Sequence, residues 1–295
     1  MNQTSEAQAI IDFAAQNQKP TTLDVQHDGL TLPLVMVPKG YEAKNMMAEL
    51  DKLRDRPKRK EGTANLQTAE SFVQHAKRHA DANSALFASG ETNLRVQAVY
   101  DYHDKEGGKA RHGKHRAIYK FPISLEMQAW MANDGERMSQ QDFAEFLEDR
   151  LIDVFDPEQA NEAEKAIAAQ LELELATPSK LLTLSRGLSV TVEHEIHQNT
   201  ALGSGAGQLV FKERHKDTAG QPLSVPGGFL LAIPVFDGGD RWKLLARLRY
   251  RVVNQRVMWT YQLHKVREVI REAFQEAATG IALSTELPLF FGDPE

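Results

Sequence analysis

The chain of 295 residues contains no cysteine and no apolar run long enough to span a membrane. Without cysteine, disulfide bonds and thiolate chemistry are excluded, and a reducing compartment such as the cytoplasm is the natural expectation. A membrane-spanning helix needs about 20 mainly apolar residues, so we expect no membrane partner. The first residues, Met-Asn-Gln-Thr-Ser-Glu, also lack the basic and apolar regions of a signal peptide.

Common catalytic motifs are also missing: there is no Gly-x-Ser-x-Gly elbow and no P-loop lysine. The glycine-rich run Gly203–Gly207 lies between two predicted strands, which favours a flexible turn, because a phosphate-binding loop opens a helix. The run Glu193–His197 is predicted as a strand, whereas zincin geometry needs two histidines four apart on a helix. His103, His112 and His115 lack an acidic or thiolate partner at metal-ligand spacing. We therefore assign no catalytic, cofactor or metal site, although an active site built on loops stays open.

The residues that are present fit a globular protein, with 41% apolar and 26% charged side chains. The net charge of −6 hides a segregation, because thirteen acidic and only three basic residues lie between Asn133 and Ala176. Basic residues concentrate at 52–60, 105–120 and 241–271. These regions are either solvated faces or complementary surfaces that meet within one subunit or between subunits.

The stretch from Lys243 to Thr279 predicts a β-hairpin followed by an amphipathic helix. Apolar residues alternate from Leu244 onward, with arginines between them, so one face of the strand is apolar and the other is cationic. A two-residue turn at Asn254-Gln255 then sets the register. The predicted pairs are Val252 with Val257, Tyr250 with Trp259, Leu248 with Tyr261, Ala246 with Leu263, Arg251 with Met258, Arg249 with Thr260 and Arg247 with Gln262.

After Leu263 the apolar period becomes that of a helix, and Gly280 is predicted as the residue that follows its last turn. The tail beyond this helix is too apolar for a free chain end, so we predict that it contacts its own domain or a neighbouring subunit. The candidate subunit-contact residues are Leu287, Leu289, Phe290 and Phe291.

A second hairpin is predicted from two alternating segments, residues 94–102 and 117–121. The segment between them, residues 104–115, has three glycines and several basic side chains, which predicts a protruding, mobile arm. The arm and the cationic strand face supply the candidate partner-binding residues. These are Lys105, Lys109, Arg111, Lys114, Arg116, Arg247, Arg249 and Arg251.

The remaining pattern predicts helices and short strands along the rest of the chain. The predicted helices run from Thr4 or Ser5 to Gln16, from Glu42 to Leu53, from Thr68 to Ala80, from Ser124, from Ser139, and from Pro157 to Ala176, where Pro178 ends the last one. The predicted strands are residues 30–37, 188–196, 208–213 and 229–236, and residues 55–62 form a charged loop or linker.

These elements predict an α+β fold: N-terminal helices, a protruding β-hairpin arm, acidic helices, and a C-terminal antiparallel sheet with a terminal helix. We expect a helical N-terminal region at 1–90, the hairpin arm and acidic helices at 91–181, and the sheet with its terminal helix at 182–295. Residues 91–295 can also form a single domain.

Four segments stand in a distinctive order: Val35-Met-Val-Pro-Lys-Gly-Tyr41, Leu94-Arg-Val-Gln-Ala-Val-Tyr-Asp-Tyr-His103, His115-Arg-Ala-Ile-Tyr-Lys-Phe-Pro122 and Gln141-Asp-Phe-Ala-Glu-Phe-Leu-Glu-Asp149. Together they resemble the YfdQ-type prophage protein family over nearly the whole chain. The resemblance implies a phage or prophage protein made in the cytoplasm of a bacterial host. That family has no established activity, so it implies no catalytic residues.

We therefore expect a non-enzymatic phage accessory protein that self-associates into a homo-oligomer with a structural or assembly role. The alternative is a nucleic-acid-binding factor in phage DNA metabolism, because basic grooves with aromatic platforms bind single strands. Against this alternative, Tyr250, Trp259 and Tyr261 are predicted on the apolar face of the hairpin. The sequence pI of about 6.0 is also low for a nucleic-acid-binding domain.

Overall fold

A computed structural model describes residues 6–17, 21–27, 30–36, 53–57, 59–90, 93–106, 108–170, 172–187, 189–195, 210–216, 225–254 and 256–294. The chain divides into two compact units, residues 1–60 and 61–295. This division falls inside the charged stretch 55–62 that the sequence predicts as a loop or linker. The domain boundaries expected near residues 90 and 181 stay predictions.

The first unit contains a helix and a hairpin. Helix α1 (Glu6–Asn17) precedes strands β1 (Thr21–His27) and β2 (Leu30–Met36), which pair antiparallel from Thr21↔Met36 to His27↔Leu30. The predicted first helix and the strand at 30–37 are therefore confirmed, whereas β1 was not predicted. The helix predicted from Glu42 to Leu53 lies mostly outside the described residues, as does the predicted start of the first helix at Thr4 or Ser5.

The second unit holds the remaining elements, in an α+β arrangement that confirms the predicted fold class. Its strands are β3 (Gly62–Leu66), β4 (Ala85–Ser89), β5 (Arg95–Val99), β6 (His115–Lys120), β7 (Met138–Ser139), β8 (Val154–Phe155), β9 (Ser189–Glu195), β10 (Val210–Lys216), β11 (Gly228–Pro234), β12 (Arg241–Val253), β13 (Arg256–Leu263) and β14 (Leu289–Phe291). Its helices are α2 (Ala69–His79), α3 (Leu125–Ala132), α4 (Gln140–Asp149), α5 (Glu162–Gln170), α6 (Pro178–Gly187) and α7 (Val266–Thr285).

The first sheet of this unit has the strand order β14-β4-β5-β6-β3. Strands β4, β5 and β6 pair antiparallel, while β14 on β4 and β3 on β6 are parallel. Helices α2 and α7 pack their apolar residues against one core with this sheet, including Phe72, Phe274, Leu86 and Val96. Helix α2 begins at Thr68 as predicted, and Thr68 caps it, because its side-chain oxygen accepts a hydrogen bond from the Ser71 amide at 3.1 Å.

The second sheet, with the order β7-β13-β12-β11-β8, is antiparallel throughout. Its long central pair, β12 with β13, has the register predicted from the sequence. The observed pairs are Ala246↔Leu263, Arg247↔Gln262, Leu248↔Tyr261, Arg249↔Thr260, Tyr250↔Trp259, Arg251↔Met258 and Val252↔Val257. Trp259 and Tyr261 are fully buried in one core with residues from α3, α4 and α6, including Trp130, Phe143 and Leu184.

The acidic helix predicted from Pro157 to Ala176 is wrong in its extent, because the α-helix spans only Glu162–Gln170. The chain turns at Glu172, which has a positive φ of 54°, and Leu175 then bridges to Gly228. Pro178 begins helix α6 instead of ending the previous helix. The first helical position needs no backbone N–H donor, so proline fits there.

Gly280 is also not the end of the terminal helix, which continues to Thr285. Glu286 instead adopts the left-handed conformation after the last turn, with a φ of 58°. Ile281 and Thr285 are buried in the part of the helix that follows Gly280, so tertiary packing stabilises the helix beyond the glycine.

We expect Tyr261→Phe to destabilise the second unit by about 1–3 kcal/mol, because the Tyr261 hydroxyl donates a 2.6 Å hydrogen bond to the buried carbonyl oxygen of Trp130. Tyr102→Phe is the matched control, since Tyr102 is only half-buried. Urea unfolding followed by tryptophan fluorescence measures the difference. Equal free energies of unfolding for both variants would contradict the assignment of this bond.

Candidate partner-binding surface

One face of the second sheet carries a row of guanidinium groups. Residues paired directly across two strands point to the same face, so Arg247, Arg249 and Arg251 share a face with Gln262, Thr260 and Met258. The pair Val253↔Arg256 adds a fourth arginine to this face. We call Arg247, Arg249, Arg251 and Arg256 the arginine face.

Three of the four arginines are open to solvent. Arg249, Arg251 and Arg256 are exposed, whereas Arg247 is half-buried. Within the described part of the chain, no ion pair joins any of the four to an acidic residue. The predicted outward orientation of the arginine row therefore agrees with the structure, and Trp259 and Tyr261 occupy the opposite, buried face.

Helix α4 lies on that opposite face of the same sheet. The ring of Phe143 stacks on Trp259 with centroids 5.4 Å apart, and Phe146 lies nearly parallel to Tyr261 at 5.9 Å. Ser139 caps the helix, since its hydroxyl oxygen accepts a hydrogen bond from the Asp142 amide at 3.2 Å. These contacts fix which side of α4 faces the sheet and which side faces solvent.

The solvent side of α4 is acidic. Asp142, Glu145, Glu148 and Asp149 are all exposed, and we call them the acidic helix face. Glu148 already binds Arg186 at 2.7 Å. Glu145 accepts a hydrogen bond only from the neutral amide of Gln141, at 2.9 Å, among the described side chains. Asp149 lies 3.9 Å from Arg150. In the described part of the unit, Asp142 and Glu145 are therefore the two carboxylates of this face with no ion pair.

The sheet itself separates the two charged surfaces. The arginine face is on the side of the sheet opposite to α4. The acidic helix face is on the side of α4 that points away from the sheet. Two surfaces on opposite sides of one packed layer cannot touch within a subunit. The rest of the acidic segment lies on the other side of the sheet, where Ala160, Leu173 and Leu175 pack on Leu245, which shares its face of β12 with Arg247. The acidic helix face and the arginine face are therefore separated, whereas residues 160–175 lie on the arginine side.

The basic arm lies on the other sheet, in the connection between β5 and β6. The hairpin is confirmed, and several hydrogen bonds anchor its loop. Arg111 pairs with both carboxylate oxygens of Asp81 at 2.9 and 3.3 Å, and the hydrogen bond from Arg111 lowers the pKa of Asp81. The carboxylate of Asp101 accepts the amides of Lys114 and His115 at 3.1 and 2.9 Å.

The arm therefore offers fewer free cations than the sequence suggested. Arg111 is engaged with Asp81, and the Nε–H group of Arg116 donates to the carbonyl of Gly113. Lys105, Lys109 and Lys114 are exposed. No hydrogen bond or ion pair between described residues joins these lysines to the arginine face, so the structure does not assemble the eight predicted basic residues into one site.

The apolar tail contacts its own unit, which is one of the two contacts predicted for it. Leu289, Phe290 and Phe291 form strand β14, which pairs with β4. The Asp293 carboxylate connects this segment to strands β4 and β5, because it accepts hydrogen bonds from Ser89 at 2.6 Å and Arg95 at 2.7 Å. Phe290 and Phe291 remain 49% and 58% exposed, so a further contact of these rings with another subunit stays a prediction.

No group of three or more potential ligands in the described part of the chain is placed to hold a metal ion. His103 accepts the backbone amide of Arg111 at its Nδ1 atom, 3.2 Å away. Glu193, His194 and Glu195 lie in strand β9, as predicted, whereas His197 and the run Gly203–Gly207 lie outside the described residues.

Histidines instead form a packed cluster that sequence reasoning missed. His75 and His79 follow each other by one helical turn on α2, with ring centroids 4.5 Å apart. His115 packs against His79 at 5.3 Å and against Tyr100 at 4.8 Å. The Tyr100 hydroxyl and His75 Nδ1 share a hydrogen bond of 2.8 Å. The spacing of His75 and His79 was the available signal, but only the fold brings His115 to them.

A family described as "Uncharacterized conserved protein (DUF2303)" matches residues 3–294. The chain belongs to this family. No curated protein and no solved structure matches the chain significantly. No helix in the described ranges is long and apolar enough to cross a membrane. The family description states no activity, so the surfaces themselves are the basis for a functional proposal.

We expect stability to fall as the pH drops below about 6.5, the ordinary pKa of histidine. Burial, followed by the nearby charge of Arg78, lowers the pKa of His75. The unfolded chain therefore takes up the proton first, and the contribution of neutral His75 to stability is lost as the pH falls through its lower folded pKa. His75→Gln should flatten the dependence of the thermal midpoint on pH, whereas His112→Gln, at an exposed position, should not. If the thermal midpoint of His75→Gln depended on pH as steeply as that of the wild type, the proposed contribution of His75 would be contradicted.

Proposed function

We propose that the protein is a phage or prophage accessory protein that assembles with copies of itself in the bacterial cytoplasm. Its role is structural and not catalytic. The arginine face of one copy binds the acidic helix face of the next. The observation that carries this proposal is that the two complementary surfaces lie on opposite sides of one sheet, so that they cannot pair with each other within one subunit.

Such a contact is head-to-tail, because two different patches meet. Head-to-tail contacts produce closed rings when the rotation between subunits closes, and open filaments when it does not. A two-fold interface could pair two different patches only if both lay on the same side of the subunit, and these two do not. A two-fold dimer built on one of them would instead bring that patch against itself. Arginine against arginine and carboxylate against carboxylate are both repulsive, so the charge pattern disfavours two-fold pairing of either surface.

Charge sets the orientation of this contact, and apolar contacts add affinity. Exposed ion pairs contribute only about 0.2–1 kcal/mol each, and they affect association rate and register more than affinity. Val252 and Val253 are 36% and 43% exposed at the tip of the hairpin beside the arginine face. Ile152 is 78% exposed, just after the acidic helix. These side chains supply apolar area next to both charged patches.

The edge of the first sheet offers a second contact. Strand β14 pairs with β4 on one side, and among the described strands nothing pairs with its other edge. An edge strand with open backbone groups is a template for pairing with another chain. The exposed rings of Phe290 and Phe291 stand on this edge, and Phe290 packs on Phe87 with centroids 5.5 Å apart.

Charge reversal of each surface tests the head-to-tail contact. We expect Arg249→Glu with Arg251→Glu to abolish assembly, and Glu145→Lys with Asp149→Lys to abolish it equally. In an equimolar mixture of the two double variants, the unchanged acidic helix face of one variant meets the unchanged arginine face of the other, and the two reversed faces are again opposite in charge. The mixture should therefore regain assembly, with the two variants alternating, to masses well above the 33.1 kDa of one chain. Size-exclusion chromatography with light scattering measures these masses.

The matched control reverses two exposed charges on the arm, Lys105→Glu and Lys109→Glu, and should leave assembly intact. Assembly of either surface variant at the wild-type mass would exclude the proposed contact. So would a mixture in which both variants remain monomers while the wild type assembles.

Nucleic-acid binding is the second candidate, because four guanidinium groups share one face with the polar side chains of Thr260 and Gln262. Contacts to phosphates would make binding fall steeply with salt. The aromatic side chains Trp259 and Tyr261 are buried on the other face and cannot stack on bases. If single-stranded DNA binds through this face, Arg249→Glu with Arg251→Glu should reduce affinity at least tenfold in a gel shift. Unchanged binding would exclude this surface.

A further inference from the structure

A separate pocket of about 470 Å³ lies in the second unit, and its lining includes none of the four residues of the arginine face. Four parts of the chain converge on it: the start of α2 at residues 67–70, the end of β6, the turn at residues 236–239, and α7 at Ala277. Its volume is within the range of small-molecule sites, which is about 300–1,000 Å³. The proposed assembly does not use this pocket.

Three aromatic side chains line the pocket and contact one another. The rings of Tyr119 and Phe121 have centroids 4.7 Å apart, and the ring of Phe121 meets that of Phe236 edge-on at 5.2 Å. Pro122 and Ala277 complete the apolar lining. Such a surface favours the carbon chain of a ligand, and aromatic rings also attract cations.

The charge at the pocket has one sign. Its ionisable lining residues are Glu70 and Asp237, both exposed, together with the phenol of Tyr119. Among the described residues, no lysine, arginine or histidine lines it. The start of α2 would attract an anion, but a helix end carries only about half a charge. Two full carboxylate charges outweigh it, so the pocket favours a cation.

The hydroxyl group of Tyr119 adds a polar anchor. Tyr119 is only 5% exposed, yet no hydrogen bond joins its hydroxyl to another side chain or backbone group in the described ranges. Burial and the nearby charge of Asp237 raise the pKa of Tyr119. The phenol thus stays protonated near neutral pH, with an oxygen that can accept a hydrogen bond from a ligand.

We propose that this pocket binds the ammonium group of an aliphatic amine, held between Glu70 and Asp237, with its carbon chain on Tyr119, Phe121 and Phe236. The amine can be a free alkylamine or the side chain of a lysine in a partner protein. An ammonium group offers three donors, enough for both carboxylates and the Tyr119 oxygen.

Titration of the full chain with hexylammonium, followed by calorimetry, tests the charge requirement. Hexanoate and 1-hexanol have the same carbon chain with a negative or neutral end, and we expect neither to bind as tightly. Glu70→Gln and Asp237→Asn should each weaken hexylammonium binding about two- to fivefold, the range for an exposed charge pair. Glu136→Gln, at an exposed position that does not line the pocket, should change nothing.

A second titration with acetyl-Ala-Lys-Ala-amide separates the two sources of the amine. Binding of this peptide, sensitive to Glu70→Gln and Asp237→Asn, indicates a lysine of a partner protein. Binding of hexylammonium alone indicates a small molecule. The proposal is wrong if neither ligand binds saturably, if 1-hexanol or hexanoate binds as well as the amine, or if the two pocket variants match the wild type. A thermal midpoint measured for each variant shows that it is folded.

Discussion

The pairing of β12 with β13 is the constraint on which the second unit depends. Tyr250 faces Trp259, and Leu248 faces Tyr261, so the apolar side of the hairpin is continuous. A shift of one residue would turn this whole set to solvent and bring the arginines into the core. Burying an unpaired guanidinium group costs several kcal/mol. The register that builds the core is therefore also the register that exposes the arginine face.

The same sheet keeps the arginine face and the acidic helix face apart. Phe143 and Phe146 of α4 stack on the buried rings of Trp259 and Tyr261, and this places the acidic side of the helix on the far side of the sheet from the arginines. A single subunit thus presents two complementary patches that it cannot join. This physical arrangement supports contact between copies, and it explains how a chain with a net charge of −6 can carry a strongly cationic face.

Local patterns predicted much of this fold, because alternation and helical period report which face of an element is buried. The β12–β13 register, the helix starts at Thr68 and Ser139, and the arginine row follow from such patterns. Strand β4 does not, because all five of its residues are buried and no alternation remains. Strand β14 pairs with β4 across about two hundred residues of sequence, a contact that no local signal encodes.

The candidate surfaces were also predictable to different degrees, because local patterns place residues on a strand or helix but do not show how the elements pack together. Arg249 and Arg251 could be placed from the strand period, and Arg256 could have been added by extending the same register by one pair. The position of the acidic helix face depends on how α4 packs against β13, which is tertiary information. The pocket at Tyr119 needs four separate parts of the chain to converge, and the packing of His115 on α2 likewise arises only from the fold.

The most direct measurement is the molar mass of the wild-type protein in solution as salt is raised. The Debye length, over which charges attract each other in solution, falls from about 30 Å at 0.01 M to about 3 Å at 1 M ionic strength. We expect masses well above the 33.1 kDa of one chain at micromolar concentration and low salt, falling toward that value at high salt. A mass of one chain under all conditions would contradict contact between copies through these charged surfaces.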